Sequence, residues 1–505
     1  MSDNLFDRLV RKTSDTSRKA IENVDGTVFS YGDLFDLAGR LAHVLVNQGV
    51  KPGDRVAVQV EKSVPALVLY FATLRAGAVY LPLNTAYTLA ELDYFIGDSE
   101  PSLIICDPAV AQGVGELAGK VGAKVITLDP QGQGALMEAA ATENASFETI
   151  ARNGDDLAAI LYTSGTTGRS KGAMLTHDNL HSNATTLIDY WRFTQDDVLI
   201  HALPIYHTHG LFVATNVIMF SGASMIFLPK FDPDKIMSLM SRATCLMGVP
   251  TFYVRLLQHP NLSKDKVSNM RLFVSGSAPL LADTHREWSA KTGHAILERY
   301  GMTETNMNTS NPYDGDRVPG AVGYPLPGVF VRIADPETGT IFGADEIGMI
   351  EVKGPNVFKG YWRMPEKTAA EFKPDGFFIT GDLGKIDGKG YVHIVGRGKD
   401  LIITGGFNVY PKEIESEIDA MPGVFESAVI GVPHPDFGEG VTAVVVRTKP
   451  DAIDETAIIA ALQDRLAKFK QPKKVIFMDD LPRNTMGKVQ KNVLRDQFAS
   501  LFTKG

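Results

Sequence analysis

Short apolar runs alternate with helical stretches up to residue 315, and this alternation limits the folds open to the chain. The strand-like run DRVAVQV at 54–60, for example, precedes the helical stretch SVPALVLYFATLRAG at 63–77. Such alternation is typical of α/β layers in which helices cover largely parallel sheets. We therefore predict the α/β class, with a large N-terminal domain of parallel-type sheets.

The pattern changes after residue 315. Short strand-like segments separated by Gly, Pro and Asp, such as GYVHIVGRGKD at 390–400, predict a β-barrel-like subdomain. The remaining chain has the pattern of a small α+β unit. We expect an N-terminal domain at 1–396, a hinge at 397–399 and a C-terminal domain at 400–505.

Composition narrows the class of protein. The net charge of -9 disfavours a general nucleic-acid or membrane-surface partner. The two cysteines, Cys106 and Cys245, stand in apolar runs, which predicts buried thiols rather than a disulfide framework or a zinc site. The N-terminus has no apolar signal region, and no run of about 18 uncharged apolar residues occurs. A cytoplasmic enzyme is the expected class.

The segment YTSGTTGRSKG at 162–172 has the composition of a phosphate-binding loop. Glycines permit tight turns, hydroxyls donate hydrogen bonds and cations attract an anion. The order of residues excludes a Walker A motif, in which Lys directly follows Gly. A solvated Ser/Thr/Gly loop is the plain alternative. The residues assigned to ATP here are Thr163, Ser164, Gly165, Thr166, Thr167, Gly168 and Lys171.

This loop resembles that of the acyl-adenylate-forming superfamily, which includes acyl- and aryl-CoA synthetases, luciferases and adenylation domains of peptide synthetases. Further segments resemble that family in its order, over nearly the whole chain: LPIYHTHG at 203–210, ERYGMTETN at 298–306, FFITGDLG at 377–384, GRGKDLIITGGFNVYPKEIE at 396–415 and LPRNTMGKVQK at 481–491. The resemblance implies two half-reactions. A carboxylate attacks the α-phosphate of ATP and releases pyrophosphate, and the thiol of CoA then displaces AMP.

The resemblance also implies roles for individual residues. Lys488 would bridge the carboxylate and the α-phosphate, Glu304 would hold Mg²⁺ and Thr303 would face the α-phosphate. His207 would touch the acid or gate the thiol tunnel, although a structural histidine is the plain alternative. The residues expected to contact ATP or AMP are Ser277, Ala278, Glu298, Tyr300, Gly301, Met302, Asp382 and Arg397.

A mobile C-terminal domain is part of the same implied mechanism. Lys399 would be the hinge residue, and Gly405, Gly406 and Phe407 would line the CoA tunnel after the domain turns. Some family members are regulated by acetylation of the catalytic lysine. A lysine acetyltransferase and a deacetylase acting on Lys488 are therefore possible partners.

The segments expected to line the acid pocket are polar. Arg255 follows a Val-Pro turn, and an arginine in a pocket binds a second carboxylate bidentately. We therefore predict a small dicarboxylate held by Arg255 with Ser277 and His207. A helix-surface arginine is the plain alternative for Arg255, and Arg286 is a weaker candidate.

Family members that activate malonate resemble the chain at ALPIYHTHGLFVATN (202–216) and VPGAVGYPLPGV (318–329). This resemblance implies malonate, ATP and CoA as substrates, with methylmalonate tolerated. The alternatives are a CoA ligase for a short monocarboxylic acid, an adenylation enzyme that loads a carrier protein, and a protein that binds acyl-adenylates without turnover. The predicted pocket arginine disfavours a CoA ligase for monocarboxylic acids. No segment resembles a phosphopantetheine-serine site, which disfavours an enzyme that loads a carrier protein.

Overall fold

The computed structural model describes residues 2–163, 170–404, 407–463, 465–466, 468–484 and 487–502. Among these residues no helix is both long and apolar enough to cross a membrane. In chain order the helices are α1 (Leu5–Lys12), α2 (Tyr31–Asn47), α3 (Val64–Arg75), α4 (Leu89–Ser99), α5 (Ala111–Val121), α6 (Ala135–Ala141), α7 (His177–Tyr190), α8 (Asn216–Ser221), α9 (Pro233–Leu239), α10 (Pro250–Leu257), α11 (Ala282–Thr292), α12 (Pro365–Glu371), α13 (Pro411–Asp419), α14 (Glu455–Gln463) and α15 (Lys491–Gln497).

The strands occupy the segments between these helices. The first are β1 (Lys19–Asn23), β2 (Val28–Ser30), β3 (Arg55–Gln59), β4 (Val79–Pro82), β5 (Leu103–Cys106), β6 (Lys124–Thr127), β7 (Leu157–Thr163), β8 (Lys171–Thr176), β9 (Val198–His201), β10 (Ser224–Phe227), β11 (Cys245–Gly248), β12 (Leu272–Ser275), β13 (Leu297–Met302), β14 (Asn306–Ser310) and β15 (Tyr324–Pro325). The later ones are β16 (Phe330–Ala334), β17 (Gly348–Lys353), β18 (Gly360–Tyr361), β19 (Phe378–Ile386), β20 (Val392–Arg397), β21 (Ile402–Thr404), β22 (Phe407–Val409), β23 (Val424–His434), β24 (Gly438–Arg447) and β25 (Lys474–Met478).

Two largely parallel sheets form the N-terminal domain, which confirms the predicted α/β class. One has the order β15-β14-β13-β12-β11-β9-β10-β1-β2 and the other β18-β8-β7-β4-β3-β5-β6. Strands β9 to β13 and β3 to β7 pair in parallel, whereas antiparallel pairs stand at the edges. Both cysteines are buried in this domain, as predicted.

Alternation along the strands divides the buried side chains between two faces. Val56 and Val58 of β3 join the core shared by the two large sheets, and Ala57 between them joins the cluster on the opposite face. Side chains of a strand point to opposite faces in turn, so both faces of β3 must be covered. Helix α3 is apolar all round and almost wholly buried in the shared core. Its last residue, Arg75, donates to the carbonyl of Phe35 at 2.8 Å.

The sequence KGAMLTHDNLHSNATTLIDYW at 171–191 predicts a single helix, but in the structure this segment contains a strand and then a helix. Residues Lys171–Thr176 form β8, antiparallel to β7, and the helix starts only at His177. Thr176 stops the strand because its hydroxyl caps the helix by accepting from the N–H of Asn179. The phosphate-loop segment therefore connects the two strands of a hairpin.

The β-barrel-like subdomain predicted after residue 315 is wrong. Strands β16, β17, β19 and β20 form an open antiparallel sheet in that order, and among the described residues the two edge strands do not pair to close it. The short strands and Gly/Pro turns were recognised correctly, but closure needs a register shear that sequence patterning does not reveal.

The C-terminal residues build a separate core around the antiparallel pair β23 and β24. Val429 and Val445 face α13 and α14, whereas Ile430 and Val444 face α15. The shared N-terminal core ends at Val392 in the chain, and the next core cluster starts after the 397–399 segment. We propose that this segment separates two domains.

Two helical glycines give a matched test of this packing. A Cβ at Gly39 of α2 would lie 1.8 Å from the carbonyl oxygen of Ala145, whereas a Cβ at Gly97 of α4 meets nothing within 4 Å. Gly39→Ala should lower the thermal unfolding midpoint by several degrees, because overpacking against backbone costs about 1–3 kcal/mol. Gly97→Ala should leave the midpoint unchanged or raise it, since Ala favours a helix by about 1 kcal/mol over Gly. A stable Gly39→Ala variant would contradict this packing.

Candidate active site

The site lies between the N-terminal sheets and the C-terminal domain. On one side, Tyr300 of β13 donates its hydroxyl to Asp382 Oδ2 at 2.7 Å. Arg397 of β20 lies opposite Asp382 of β19, and its Nε is 3.2 Å from Asp382 Oδ1. Asp382 and Tyr300 are buried, whereas the Arg397 side chain is 41% exposed. The structure therefore brings together three residues predicted to hold the nucleoside.

Thr163 and Lys171 lie on the two strands that flank the phosphate-loop segment. Thr163 ends β7 and Lys171 begins β8, with the Thr163 hydroxyl 3.4 Å from the carbonyl of Lys171. Helix α4 supports this base, since the Tyr94 hydroxyl donates to the carbonyl of Ser170 at 2.6 Å. The predicted loop residues Ser164, Gly165, Thr166, Thr167 and Gly168 lie outside the described residues.

A network of two carboxylates and a lysine lies next to this hairpin. The Tyr361 hydroxyl is 3.1 Å from Glu304 Oε1 and 2.7 Å from Glu371 Oε2. Lys171 Nζ is 3.1 Å from Glu371 Oε1 and 4.0 Å from the centre of the Tyr361 ring. Burial raises the pKa of Glu304. Lys171 and Glu304, both predicted site residues, are thus close neighbours.

Two histidines from the LPIYHTHG segment enter the acid side of the site. His209 begins a π-helical turn, a local feature that recurs at functional sites, and its N–H donates to His207 Nδ1 at 3.3 Å. Gly210 allows this turn to pack tightly, because a Cβ there would lie 2.0 Å from the carbonyl oxygen of Pro204. Burial lowers the pKa of His207 to about 3, and Lys488 and Arg299 add to that effect. Both imidazoles are therefore neutral near pH 7.

Arg299 of β13 is a buried cation whose side chain has no hydrogen bond or ion pair among the described residues. Its Nε and Nη2 are buried and unpaired, and it is 4% exposed. Burial lowers its pKa to about 9. Gly276 makes room for the guanidinium, since a Cβ at that position would lie 2.2 Å from Arg299 Cζ. An unpaired buried guanidinium is costly, so this geometry indicates an anion-binding pocket.

Ser277 lies directly after that glycine and faces the same pocket. Its Oγ is 3.3 Å from His209 Nδ1, while His209 Nε2 is buried without a partner. Ser277 has a φ of +70°, in the left-handed region. Such strain costs about 1–3 kcal/mol and clusters at ligand sites. Ser277 and His209 are therefore neighbours, and Arg299 is near enough to His207 and His209 for its charge to add to the lowering of their pKa values by burial.

Arg255 does not belong to this buried group, so the prediction that it lines the pocket is corrected. It lies on the exposed face of α10, and its guanidinium lies 5.9 Å from the centre of the Phe231 ring. The buried face of α10 carries Phe252, Tyr253 and Leu256 instead. Arg286 is also at the surface, paired with a neighbouring aspartate on α11.

Glu298 is a second correction. Its Oε1 lies 3.0 Å from His285 Nδ1 and accepts from the N–H of Gly320 at 3.2 Å, so the carboxylate joins α11 to the segment before β15. This is a structural contact rather than the predicted nucleotide contact. The other predicted residues of this region are all partly buried: Gly301 and Met302 end β13, Thr303 lies in the following turn and Ala278 follows Ser277.

Lys488 reaches the site from a tight loop of the C-terminal domain. Its N–H donates to Asn484 Oδ1 at 2.9 Å, and the N–H of Asn484 donates back to the carbonyl of Lys488 at 2.9 Å. Gly487 completes the loop with a φ of +73°, which a residue with a side chain rarely adopts. These bonds tie Lys488 to Asn484 at the backbone, while the charge of its side chain acts across the domain boundary.

The Lys488 ammonium lies within the electrostatic reach of four charged groups from the other domain. Burial lowers its pKa to about 8, and the positive charges of Arg397 and Arg299 add to this, while Asp382 and Glu304 oppose it. Lys488, which the sequence predicts to be catalytic, therefore lies near Asp382, Arg397 and Glu304, three other predicted site residues, and near Arg299.

The hinge and tunnel residues lie on the C-terminal side. Lys399 is exposed in a short helical turn, and the next residue, Asp400, pairs with Arg495 of α15 at 2.9 Å. Phe407 is 55% exposed and stacks on Phe469 with ring centres 4.6 Å apart. Gly405 and Gly406 lie outside the described residues. Their predicted roles stay predictions.

Sequence reasoning missed Arg299 and the Tyr361–Glu371 pair. For Arg299 a signal was present, because a charged residue inside an apolar-flanked interior strand is seldom buried without a partner. Nothing in the local sequence of Tyr361 or Glu371 distinguishes them from surface residues.

Comparison with known proteins agrees with this geometry. Residues 6–362 match the AMP-binding enzyme family, and residues 413–488 match the AMP-binding enzyme C-terminal domain. The crystal structure of ATP-bound MatB from Rhodopseudomonas palustris is 72% identical, with a TM-score of 0.98 over 99% of this chain and 100% of that one. The apo form of the same protein superposes with a TM-score of 0.87 over the same shares of the two chains.

More distant relatives differ in the acids that their names state. A feruloyl-CoA synthase from Amycolatopsis sp is 38% identical over 478 residues, which is 94% of each chain. A mitochondrial malonate–CoA ligase from Mus musculus is 36% identical over 510 residues, covering 93% of this chain and 86% of the relative. The residues that contact the acid must therefore decide between substrates.

The charges around Lys488 predict how its pKa responds to substitution. Arg397→Gln removes a repelling cation and should raise the pKa of Lys488, whereas Asp382→Asn removes an attracting anion and should lower it. The measurement is the pH dependence of acetic anhydride labelling at Lys488, read by peptide mass spectrometry, with the exposed Lys120 as internal reference. The wild-type midpoint should lie near 8. Shifts of the same sign in both variants would contradict the arrangement.

Proposed function

Because the chain belongs to the AMP-binding enzyme family, we propose that it is an ATP-dependent malonate–CoA ligase that works through malonyl-AMP and tolerates methylmalonate. The observation that carries this choice of acid is the buried, unpaired guanidinium of Arg299. The 72% identity to MatB and the match to a malonate–CoA ligase support the same choice.

The argument from Arg299 is one of charge balance. Removing one partner of a buried ion pair typically costs about 3–5 kcal/mol, so a buried guanidinium needs an anion whenever the site is occupied. A monocarboxylic acid spends its only carboxylate on the α-phosphate and leaves Arg299 unpaired. A dicarboxylic acid supplies a second carboxylate that a guanidinium binds bidentately.

The surrounding groups fit a short diacid. The Ser277 hydroxyl lies beside His209 Nδ1, and His209 Nε2 is an unpaired ring nitrogen. The pair therefore has one donor left for a carboxylate: His209 Nε2–H when the hydroxyl donates to Nδ1, or the hydroxyl when Nδ1–H donates to it. Gly210 leaves room for the carbonyl of Pro204, and Gly276 leaves room for the guanidinium of Arg299; a side chain at either position would collide with these groups. These close contacts favour a three-carbon acid over a long or aromatic one.

The first half-reaction depends on cations held around the α-phosphate. Lys488, protonated below its pKa of about 8, would bridge the attacking carboxylate and the phosphate oxygen as negative charge moves between them. Tyr300, Asp382 and Arg397 would hold the nucleoside, with the Asp382 carboxylate accepting from ribose hydroxyls. Thr303 would approach the α-phosphate from the turn after β13.

Mg²⁺ fits the donor set at Glu304. This carboxylate is buried, and no group of three or more possible metal ligands occurs among the described residues. Mg²⁺ typically takes one or two protein carboxylates together with substrate phosphates, which agrees with a single buried glutamate. A bound Mg²⁺ would screen the charge of the phosphates.

The second half-reaction requires CoA at the acyl-adenylate. We propose that rotation about Lys399 withdraws Lys488 and brings Gly405, Gly406 and Phe407 to the thiol path, while His207 gates the acid side of that path. An exposed Phe407 is suited to a surface that becomes covered after rotation. Regulation by acetylation of Lys488 would remove the bridging charge.

Substitution of Arg299 tests the choice of acid. Arg299→Gln should reduce kcat/KM for malonate by about 100- to 5,000-fold, because it removes a charge-paired contact worth about 3–5 kcal/mol. The slow reaction with acetate should change far less. The measurement is AMP release with ATP, CoA and a panel of acids.

Arg255→Gln is the matched control, since Arg255 is the exposed arginine on α10. It should retain the wild-type preference for malonate. If Arg255→Gln loses that preference and Arg299→Gln keeps it, then Arg255 binds the second carboxylate, as the sequence predicts, and Arg299 does not. If wild-type enzyme uses acetate or ferulate as well as malonate, the proposed substrate is wrong.

The pH dependence of the two half-reactions should differ. Lys488 acts as a cation, so kcat/KM for adenylation should be constant below pH 8 and fall above it as the lysine loses its proton. Thioester formation from supplied malonyl-AMP, which does not use Lys488, should lack this limb. Pyrophosphate release and malonyl-CoA formation measure the two steps. An identical basic limb in both would show that another group titrates.

A further inference from the structure

We propose that Glu371 is a positioning residue for the phosphate end of the site, where it fixes Lys171 and orients Glu304 through Tyr361. The inference rests on the proposed function, because it requires ATP to bind beside these residues. It concerns a side chain from α12, outside every segment that the sequence assigned to substrate binding.

Lys171 is held from two sides in the structure. Its Nζ pairs with Glu371 Oε1 at 3.1 Å and lies 4.0 Å from the centre of the Tyr361 ring. The side chains of Lys171 and Glu371 are only 20% and 19% exposed. A lysine held by a carboxylate and an aromatic face keeps its charge in one place, whereas a free lysine samples many rotamers.

Tyr361 connects the same carboxylate to Glu304. Its hydroxyl has one proton, and the shorter contact, 2.7 Å, is to Glu371 Oε2, against 3.1 Å to Glu304 Oε1. Tyr361 is 2% exposed, so the hydroxyl has no route to bulk water. Glu371 therefore sets the direction of a hydroxyl that touches the proposed magnesium carboxylate.

The fold makes this arrangement rigid. Tyr361 belongs to β18, which pairs with β8, the strand that begins at Lys171. The N–H of Tyr361 donates to the hydroxyl of Thr368 on α12 at 2.9 Å. Helix α12, β18 and β8 are thus joined by hydrogen bonds, and Glu371 at the end of α12 is held against Lys171.

The consequence for ATP is preorganisation. Binding that orders a flexible lysine loses conformational entropy, whereas a lysine already ordered by the protein does not. A second lysine, Lys367, also contacts Glu371 Oε1 at 2.8 Å, so the carboxylate is shared by two ammonium groups. Lys171 therefore keeps net positive charge available to a phosphate while its position is fixed.

The test is Glu371→Gln in the full-length protein. Glutamine keeps the size of the side chain and an oxygen that accepts from Tyr361, but it removes the charge that holds Lys171. Isothermal titration with ATP and Mg²⁺ should show the Kd rising about tenfold, from the entropy of ordering one lysine. KM for malonate and the rate of thioester formation from malonyl-AMP should not change.

Two further variants separate positioning from a general structural role. In a Lys171→Met background, Glu371→Gln should not weaken ATP binding further, because its effect passes through Lys171. Lys367→Gln is the matched control: it contacts the same oxygen, but its side chain is 47% exposed, and the Kd for ATP should stay within twofold of wild type.

The outcomes distinguish this inference from the proposed function. Any of three results would overturn the positioning role. The first is an unchanged or lower Kd for ATP in Glu371→Gln, and the second is a further tenfold loss of ATP affinity when Glu371→Gln is added to Lys171→Met. The third is a rise in KM for malonate as large as the rise in Kd for ATP. Absence of malonate-dependent AMP release by wild-type protein would overturn the proposed acid instead, and the ATP titrations would still decide the role of Glu371.

Discussion

The site depends on a cluster of three cations, Arg299, Arg397 and Lys488, that the nearby carboxylates Asp382 and Glu304 balance only in part. Arg299 is buried without a partner, and Lys488 lies close enough to Arg299 and Arg397 for their charges to lower its pKa. In an acidic protein this cluster is a local exception. The cost of holding like charges in a water-poor cleft is offset when anions enter, and both substrates proposed above, a triphosphate and a diacid, are anionic.

Close backbone packing makes this charge cluster possible. A Cβ at Gly276 would occupy the place of the Arg299 guanidinium, and one at Gly301 would lie 1.8 Å from the carbonyl oxygen of Asn306. Ser277 and Asn306 both adopt positive φ next to these glycines. The strain is therefore concentrated on the two sides of β13, where the acid pocket and the turn with Thr303 and Glu304 meet. Tight packing there fixes the charges where substrates must bind.

The sequence predicted the α/β layers, the buried cysteines and most chemistry-bearing segments, because periodicity and short motifs are local. It failed where the answer depends on which face a residue presents. Sequence analysis considers both the residue Arg255 and the segment that contains Arg299, but only the structure shows that Arg255 lies on the outer face of α10 and that Arg299 is buried on β13. Glu371 was missed because its partners, Lys171 and Tyr361, become neighbours only through the pairing of β18 with β8.

Lys488 is held by hydrogen bonds within the C-terminal domain but is influenced by charges of the N-terminal domain. Two hydrogen bonds inside the C-terminal domain hold the backbone next to Lys488. The N–H of Lys488 donates to Asn484 Oδ1, and Arg483 Nη1 donates to the carbonyl of Gly487 at 2.8 Å. The influence of Lys488 across the domain boundary is electrostatic, exerted through charged groups such as Asp382 and Glu304. In the proposed mechanism, loss of pyrophosphate removes negative charge that attracts Lys488, while Arg299 and Arg397 remain. Burial and the repulsion from these arginines, which together lower the pKa of Lys488, would then favour its withdrawal, so departure of pyrophosphate and rotation of the domain would be coupled.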